Sequence, residues 1–219
     1  MTFYVFGNLC LFIVWITCIY LNKNASRKAI VTGLLFGCMA VTIAHLYALD
    51  DYWHPDYILW PFNIEDFLYG FFIGGITTSA YEVVFNKKRS VSTGLNITWL
   101  VIFSLFTVLT FPVAVSVFGL NSIWAHIIPP LFVGLVVVAR RKDLRIPSLF
   151  SAMVITCITI IIFLTASYIY PSLFETYWDL ADLSGYNIKS IPIEELLFAF
   201  ALGLGGSHFY EFLLNKRLQ

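Results

Sequence analysis

Long apolar runs separated by short polar segments extend along almost the whole chain. A transmembrane helix needs about 20 mostly apolar residues, and the sequence contains several runs of roughly that length. They cover residues 3–21, 29–48, 64–85, 98–118, 121–139, 147–170 and 192–214. The pattern therefore predicts an all-α fold, a polytopic membrane bundle of seven transmembrane helices.

The composition supports this class. Of the 219 residues, 59% are hydrophobic and only 12% are charged, which is more apolar than a soluble domain can bury. The first run has no basic residue before Lys23 and is longer than the apolar core of a signal peptide, so we interpret it as a retained helix. The four cysteines fall within predicted helices, and this placement indicates neither a disulfide framework nor a metal site.

Basic residues are distributed unevenly among the connections. Alternate connections hold Lys23, Arg27, Lys28, Lys87, Lys88, Arg89, Arg140, Arg141, Lys142, Arg145, Lys216 and Arg217. The second and sixth connections instead hold Asp50, Asp51, Asp56, Glu175, Asp179 and Asp182. Because cytoplasmic loops carry an excess of Lys and Arg, the sequence predicts an integral, multi-pass protein with its amino terminus outside and its carboxyl terminus in the cytoplasm.

Two segments of the chain resemble each other. NIEDFLYGFFIGGITTSAYEVVFNKK, from Asn63, aligns without a gap with PIEELLFAFALGLGGSHFYEFLLNKR, from Pro192. Upstream, DDYW from Asp50 resembles ETYW from Glu175. The two aligned helices are four spans apart and therefore cross the membrane in the same direction. This similarity predicts an internal parallel duplication.

The duplication predicts a 3+1+3 organisation. The first three-helix repeat is expected at 1–88, a connecting helix at 89–119 and the second repeat at 120–219.

The aligned helices each begin with two acidic residues, Glu65 and Asp66 in the first and Glu194 and Glu195 in the second. Capping is one explanation, since the helix dipole favours carboxylates in a first turn. However, a carboxylate near the bilayer centre costs about 2.5–3.5 kcal/mol and is functional by default. Two pairs meeting at one interface would supply a general acid and a general base. All four residues are therefore candidate catalytic groups.

Helical periodicity indicates which acids face the protein. Positions 64, 68, 71, 82 and 85 fall on one side of the predicted helix, as a packing stripe should. Glu65 lies nearer this stripe than Asp66 does. We therefore expect Glu65 and Glu194 to point inward more directly than their neighbours.

PIEELLFAF and NIEDFLYGF, with the upstream DDYW and ETYW, resemble the lycopene cyclase family of small membrane proteins. In that family a three-helix unit with a Pro-x-Glu-Glu motif occurs twice. The first copy here departs from the motif, with Asn63 in place of proline and Asp66 in place of glutamate.

The resemblance implies an isomerase (intramolecular lyase) that converts lycopene to a β-ring product. A proton adds to the terminal double bond, the end group closes through a carbocation, and a neighbouring proton leaves without net redox. Aromatic faces stabilise cations, so the substrate-binding candidates include Phe67, Phe71, Phe198 and Phe200. Asp50 and Glu175, just before the Tyr-Trp pairs, are further candidates.

The other polar residues and the glycines in the predicted helices have structural explanations. We expect Glu82 and Glu211 to pair with surface lysines, and His126 to be a hydrogen-bonded structural histidine within reach of the site. His208 has no evident partner. The Tyr-Trp pairs read as interface anchors. The small residues Gly70, Gly74, Gly203, Gly205 and Gly206 predict close helix packing.

Alternative functions lack the residues they need. An EExxxR intramembrane protease would require arginine where Ala199 stands, and a retinal protein would require a lysine in the last helix. The remaining alternative is a non-catalytic bundle that binds a carotenoid or another lipid. No dinucleotide fingerprint follows a strand, so no cofactor is assigned. The expected partners are a linear carotenoid or other apolar lipid and the bilayer, not nucleic acid; the oligomeric state stays open.

Overall fold

The computed structural model of the protein describes residues 2–44, 51–58, 63–87 and 109–214, together with positions 98, 102 and 106. The described helices are α1 (Phe3–Leu21), α2 (Lys23–Ile43), α3 (Ile64–Phe85), α4 (Ser122–Arg140), α5 (Arg145–Ile169), α6 (Leu173–Tyr177), α7 (Ile193–Gly206) and α8 (Phe209–Leu213). A π-helical turn (Val113–Val117), two 3₁₀ turns (Lys142–Leu144 and Leu180–Asp182) and an antiparallel pair of strands, β1 (Asn187–Ile188) and β2 (Ile191–Pro192), complete the described structure.

Five helices in the described part of the chain, α1 to α5, are long and apolar enough to span a membrane. They agree with five of the predicted runs. Positions 99–101, 103–105, 107 and 108 of the predicted run 98–118 lie outside the described residues, so this run is not tested as one helix. The last predicted run is divided, because α7 has only 14 residues and ends at Gly206 before α8 begins. The count of seven spanning helices therefore stays a prediction.

Helix α2 begins six residues earlier than predicted. Asn22 ends α1 and also caps α2, with its side-chain oxygen accepting a hydrogen bond from the N–H of Asn24 at 3.1 Å. The first connection is therefore one residue long. Lys23, Arg27 and Lys28 consequently belong to the first turns of α2. The prediction that they lie in a loop is wrong.

Helices α3 and α7 run in the same direction, as predicted. Asp66 and Glu195, in their first turns, line one cavity. Glu82, near the end of α3, and Glu211, on α8 just after α7, both contact Lys28. We call the end of the bundle with Asp66 and Glu195 the acidic end, and the end with Lys28 the lysine end.

Helix α3 occupies the centre of the bundle, and this corrects the predicted packing stripe. Ile64 and Phe85, two members of that stripe, are exposed, whereas residues 72–80 are buried without interruption. The reason is that α3 packs against α1, α2 and α5 on different sides. A helix surrounded by protein has no single buried face.

Glycines allow the helices to approach closely, as predicted. A Cβ atom at Gly70 would lie 2.5 Å from the backbone oxygen of Phe36 on α2. A Cβ atom at Gly203 would lie 2.5 Å from the Cα atom of Ala152 on α5. Both contacts leave no room for a side chain, so these positions fix α3 against α2 and α7 against α5.

Candidate active site

A cavity of about 290 Å³ lies inside the bundle and reaches from the acidic end to Phe36 and Gly206. Its walls come from α1, α2, α3, α4, α5 and α7. The surface is mostly apolar, and its aromatic part includes Tyr4, Tyr52, Trp53, Tyr69, Trp178 and Phe198. The size and lining are those of a site for an apolar ligand.

Asp66 lies on the wall of this cavity and accepts hydrogen bonds on both carboxylate oxygens. The hydroxyl of Tyr4 on α1 donates to one oxygen, and the hydroxyl of Tyr57 donates to the other at 2.6 Å. Burial and the hydrogen bond to Asp66 raise the pKa of Tyr57 well above its usual value, so this tyrosine stays a neutral donor. Two hydroxyl donors favour the ionised form of a carboxylate.

Glu195 lies on the wall of the same cavity, with a different set of partners. The indole N–H of Trp178 donates to its Oε1 at 2.8 Å. Tyr69 stands close enough to interact electrostatically with both Glu195 and Asp66. The third residues of α3 and α7 therefore share one apolar, aromatic space.

Glu65 and Glu194 point into the protein, as expected, since they are 4% and 0% exposed, but their neighbours Asp66 and Glu195 are the acids that line the cavity. Both side chains are buried, and each reaches back to the segment before its helix. Glu65 accepts from the N–H of Ile58 at 2.8 Å, and Glu194 accepts from the N–H of Ser184 at 2.7 Å. The next residue along each first turn is rotated by about 100° and meets the cavity.

The aromatic candidates divide in a similar way. Phe198 lines the cavity, whereas Phe67 and Phe71 pack against Gly37 and Gly33 of α2. Phe200 is not part of the cavity wall. Helix periodicity could not show which side of α3 faces the cavity, because α3 is surrounded by protein.

The two acidic candidates upstream of the motifs do not join the site. Glu175 is exposed on α6 and does not line the cavity. Asp50 lies outside the described residues.

Tyr52, Trp53 and Trp178 line the cavity, which corrects their interpretation as interface anchors; Tyr177 is half-buried and not part of the wall. The backbone N–H of His54 donates to the carbonyl oxygen of Tyr177 at 2.9 Å, and the backbone N–H of Asp179 donates to the carbonyl oxygen of Tyr52 at 2.9 Å. Between these bonds the rings of Trp53 and Trp178 lie 4.3 Å apart. This reciprocal contact joins the segments before α3 and α7 at the acidic end of the cavity.

His126 on α4 also lines the cavity. Its Nδ1 atom lies 2.8 Å from the carbonyl oxygen of Ser122, so the expected hydrogen bond is present. The ring makes edge-to-face contacts with Phe111 and Phe198, with centroids 4.7 and 5.7 Å away.

A second polar cluster lies at the lysine end. Lys28 is 2% exposed, and its Nζ atom lies 2.9 Å from Glu82 Oε1 and also contacts Glu211. The predicted surface pairing of these glutamates is wrong, since they are 4% and 1% exposed. His208, which had no evident partner in the sequence, lies 3.0 Å from Ser148 Oγ. Lys28 was assigned to a connection because the predicted helix began one residue after it.

Within the described ranges, no group of three or more His, Cys, Asp or Glu residues is arranged to hold a metal ion. The residues that sequence reasoning missed are the hydrogen-bond donors to the acids, Tyr4, Tyr57 and Trp178. Tyr57 and Trp178 lie 9 and 17 positions before the acids that they contact, whereas Tyr4 lies 62 positions before Asp66.

Comparison with known families gives one match. The model of the family described as lycopene cyclase matches residues 1–84 and 121–213, which carry both acid pairs. The resemblance noted in the sequence is therefore confirmed. Neither the curated proteins nor the solved structures compared with the chain include a match.

Proposed function

Because the chain belongs to the lycopene cyclase family, we propose that it cyclises the end group of a linear carotenoid by acid and base catalysis, forming a β-ring without net redox. The observation that carries this proposal is the shared cavity of Asp66 and Glu195. Two carboxyl groups with different partners, enclosed by apolar and aromatic side chains, are the groups that such a reaction requires.

In the proposed reaction Glu195 donates the proton. A new C–H bond forms at the terminal double bond, and the resulting cation is attacked by a second double bond to close the six-membered ring. A C–H bond next to the final cation then breaks, its electrons form the ring double bond, and a base at the cavity wall takes the proton. Glu195 has a single described donor, the indole of Trp178, so its charge is less stabilised than that of Asp66.

Asp66 serves as the negative charge that balances the carbocation. Its two hydroxyl donors, Tyr4 and Tyr57, favour the carboxylate form. The rings of Tyr69, Trp178 and other wall residues add stabilisation through their π faces. The apolar lining keeps out water, which would otherwise capture the cation.

In this proposal Glu65 and Glu194 are positioning residues and take no part in the chemical steps. Each holds the backbone of the segment that precedes its helix, next to the Tyr-Trp contact. Loss of either would misplace the neighbouring acid at the cavity wall.

The two matched segments support the proposed organisation into repeats. Residues 1–88 and 120–219 form the repeats, and 89–119 connects them. With the basic residues of the lysine end in the cytoplasm, the acidic end with its cavity lies in the outer half of the membrane.

The test is pigment analysis of bacterial cells that produce lycopene and express the chain. The wild-type chain should convert lycopene to a cyclic product. Glu195→Gln keeps the shape of the side chain but removes the donated proton, so conversion should fall about 10²- to 10⁴-fold. Asp182→Asn, an acid-to-amide change at an exposed position at the same end, is the control for surface charge, and membrane levels are compared for each variant.

A wild-type chain that binds lycopene and leaves it linear would contradict the enzyme proposal. The alternative, a non-catalytic protein for a carotenoid or other lipid, would then stand.

A further inference from the structure

The two ring nitrogens of His126 have different surroundings: among the described residues, Nδ1 has a hydrogen-bond partner and Nε2 has none. A carbonyl oxygen accepts hydrogen bonds and cannot donate them, so the contact of Nδ1 with Ser122 places the ring hydrogen on Nδ1. In the neutral ring Nε2 then carries a lone pair. Nδ1 is bound to the backbone of its own helix, so the Nε2 edge points away from α4. None of the described residues forms a hydrogen bond with it.

The surroundings hold this ring in place at the wall of the cavity that the two acids also line. Phe111 and Phe198 contact it edge to face, and Phe198 lies one turn after Glu195 on α7. His126, Asp66 and Glu195 all line the same cavity. A neutral nitrogen base is therefore part of the wall of the cavity in which the carbocation would form.

The other polar groups of the cavity are less suited to receive a proton. Both oxygens of Asp66 already accept hydroxyl hydrogen bonds, which reduces its basicity. Glu195 begins the reaction as the donor. We propose that His126 is a further catalytic residue, whose Nε2 atom takes the proton that leaves the ring; this inference rests on the proposed function.

The proton balance closes within the site. The C–H bond breaks, its electrons form the ring double bond, and an N–H bond forms at Nε2. The imidazolium then returns the proton to the Glu195 carboxylate, which restores both groups for the next substrate. Because the base is held at one position, it also selects which neighbouring carbon loses its proton, and so the position of the ring double bond.

The test compares two variants of His126 in isolated membranes supplied with lycopene. His126→Asn keeps an N–H donor near the position of Nδ1 but has no basic nitrogen, and conversion should fall about 10²- to 10⁴-fold. His126→Ala should fall similarly, and added imidazole should restore part of its conversion by entering the vacated space. Restored conversion should rise with the fraction of imidazole that is unprotonated as pH is raised. His54→Asn, a change of an exposed histidine at the same end, is the matched control.

A structural role for His126 predicts a different result. Imidazole would then fail to restore His126→Ala, and such a failure would overturn the inference. Wild-type-like conversion and product identity in His126→Asn would overturn it as well, while leaving the proposed function intact. A wild-type chain that leaves lycopene linear would instead remove both.

Discussion

Acidic residues recur at both ends of the bundle, with opposite surroundings. At the acidic end, Asp66 and Glu195 receive hydrogen bonds from neutral tyrosine and tryptophan side chains and face a cavity. At the lysine end, Glu82 and Glu211 contact the buried ammonium group of Lys28, and the small remaining space there has room for about one water molecule.

The difference indicates which buried carboxylates a ligand can reach. An adjacent ammonium neutralises the charge and fixes both partners, so such a cluster connects helices. Neutral donors orient a carboxyl group while leaving it exposed to a ligand. The same residue type therefore stabilises the bundle at one end and is available for chemistry at the other.

Removal of the buried ammonium should have the largest effect on folding. Lys28→Met keeps the length of the side chain but removes the ammonium group that contacts two buried carboxylates, and breaking a buried ion pair in this way costs about 3–5 kcal/mol. We expect a large loss of protein from the membrane and a lower thermal unfolding temperature in detergent. Lys23→Met, an exposed lysine in the first turn of the same helix, is the control. Equal levels and melting temperatures of the two variants would contradict a clamping role for Lys28.

Asp66→Asn should reduce conversion of lycopene less than Glu195→Gln does. The amide keeps hydrogen bonding to Tyr4 and Tyr57 but removes the balancing negative charge, whereas the glutamine variant removes the donated proton itself. Rates of product formation, normalised to membrane level, test this order. Tyr57→Phe, which removes one of two donors, should reduce conversion least; a reversed order would exchange the roles of the two acids.

The orientation of the protein in the membrane determines which end of the bundle is accessible from outside the cell. In a cysteine-free background, a single cysteine at position 56 or 182 should react with a membrane-impermeant label added to intact cells. A cysteine at position 88 or 142 should be protected until the membrane is opened. The reverse labelling pattern would place the acidic end and its cavity on the cytoplasmic side.

The fold was largely predictable because its main signals are local. Helices α1 and α3 begin and end where the apolar runs do, and the paired glycines pack helices as expected. The acid pairs were recognised from their repetition. The sequence did not single out Asp66 and Glu195 as the acids that line the cavity, because the helical period describes a stripe and not a central helix enclosed on several sides.

The sequence by itself determined the membrane class, the apolar spans, the shared direction of α3 and α7, and the presence of acids at the start of both. Only the tertiary structure decided which groups each acid contacts. Tyr4 reaches Asp66 from 62 positions away, and Lys28 reaches Glu211 from 183 positions away. Such contacts depend on how helices pack side by side, and a one-dimensional pattern contains the faces of helices but not which faces meet.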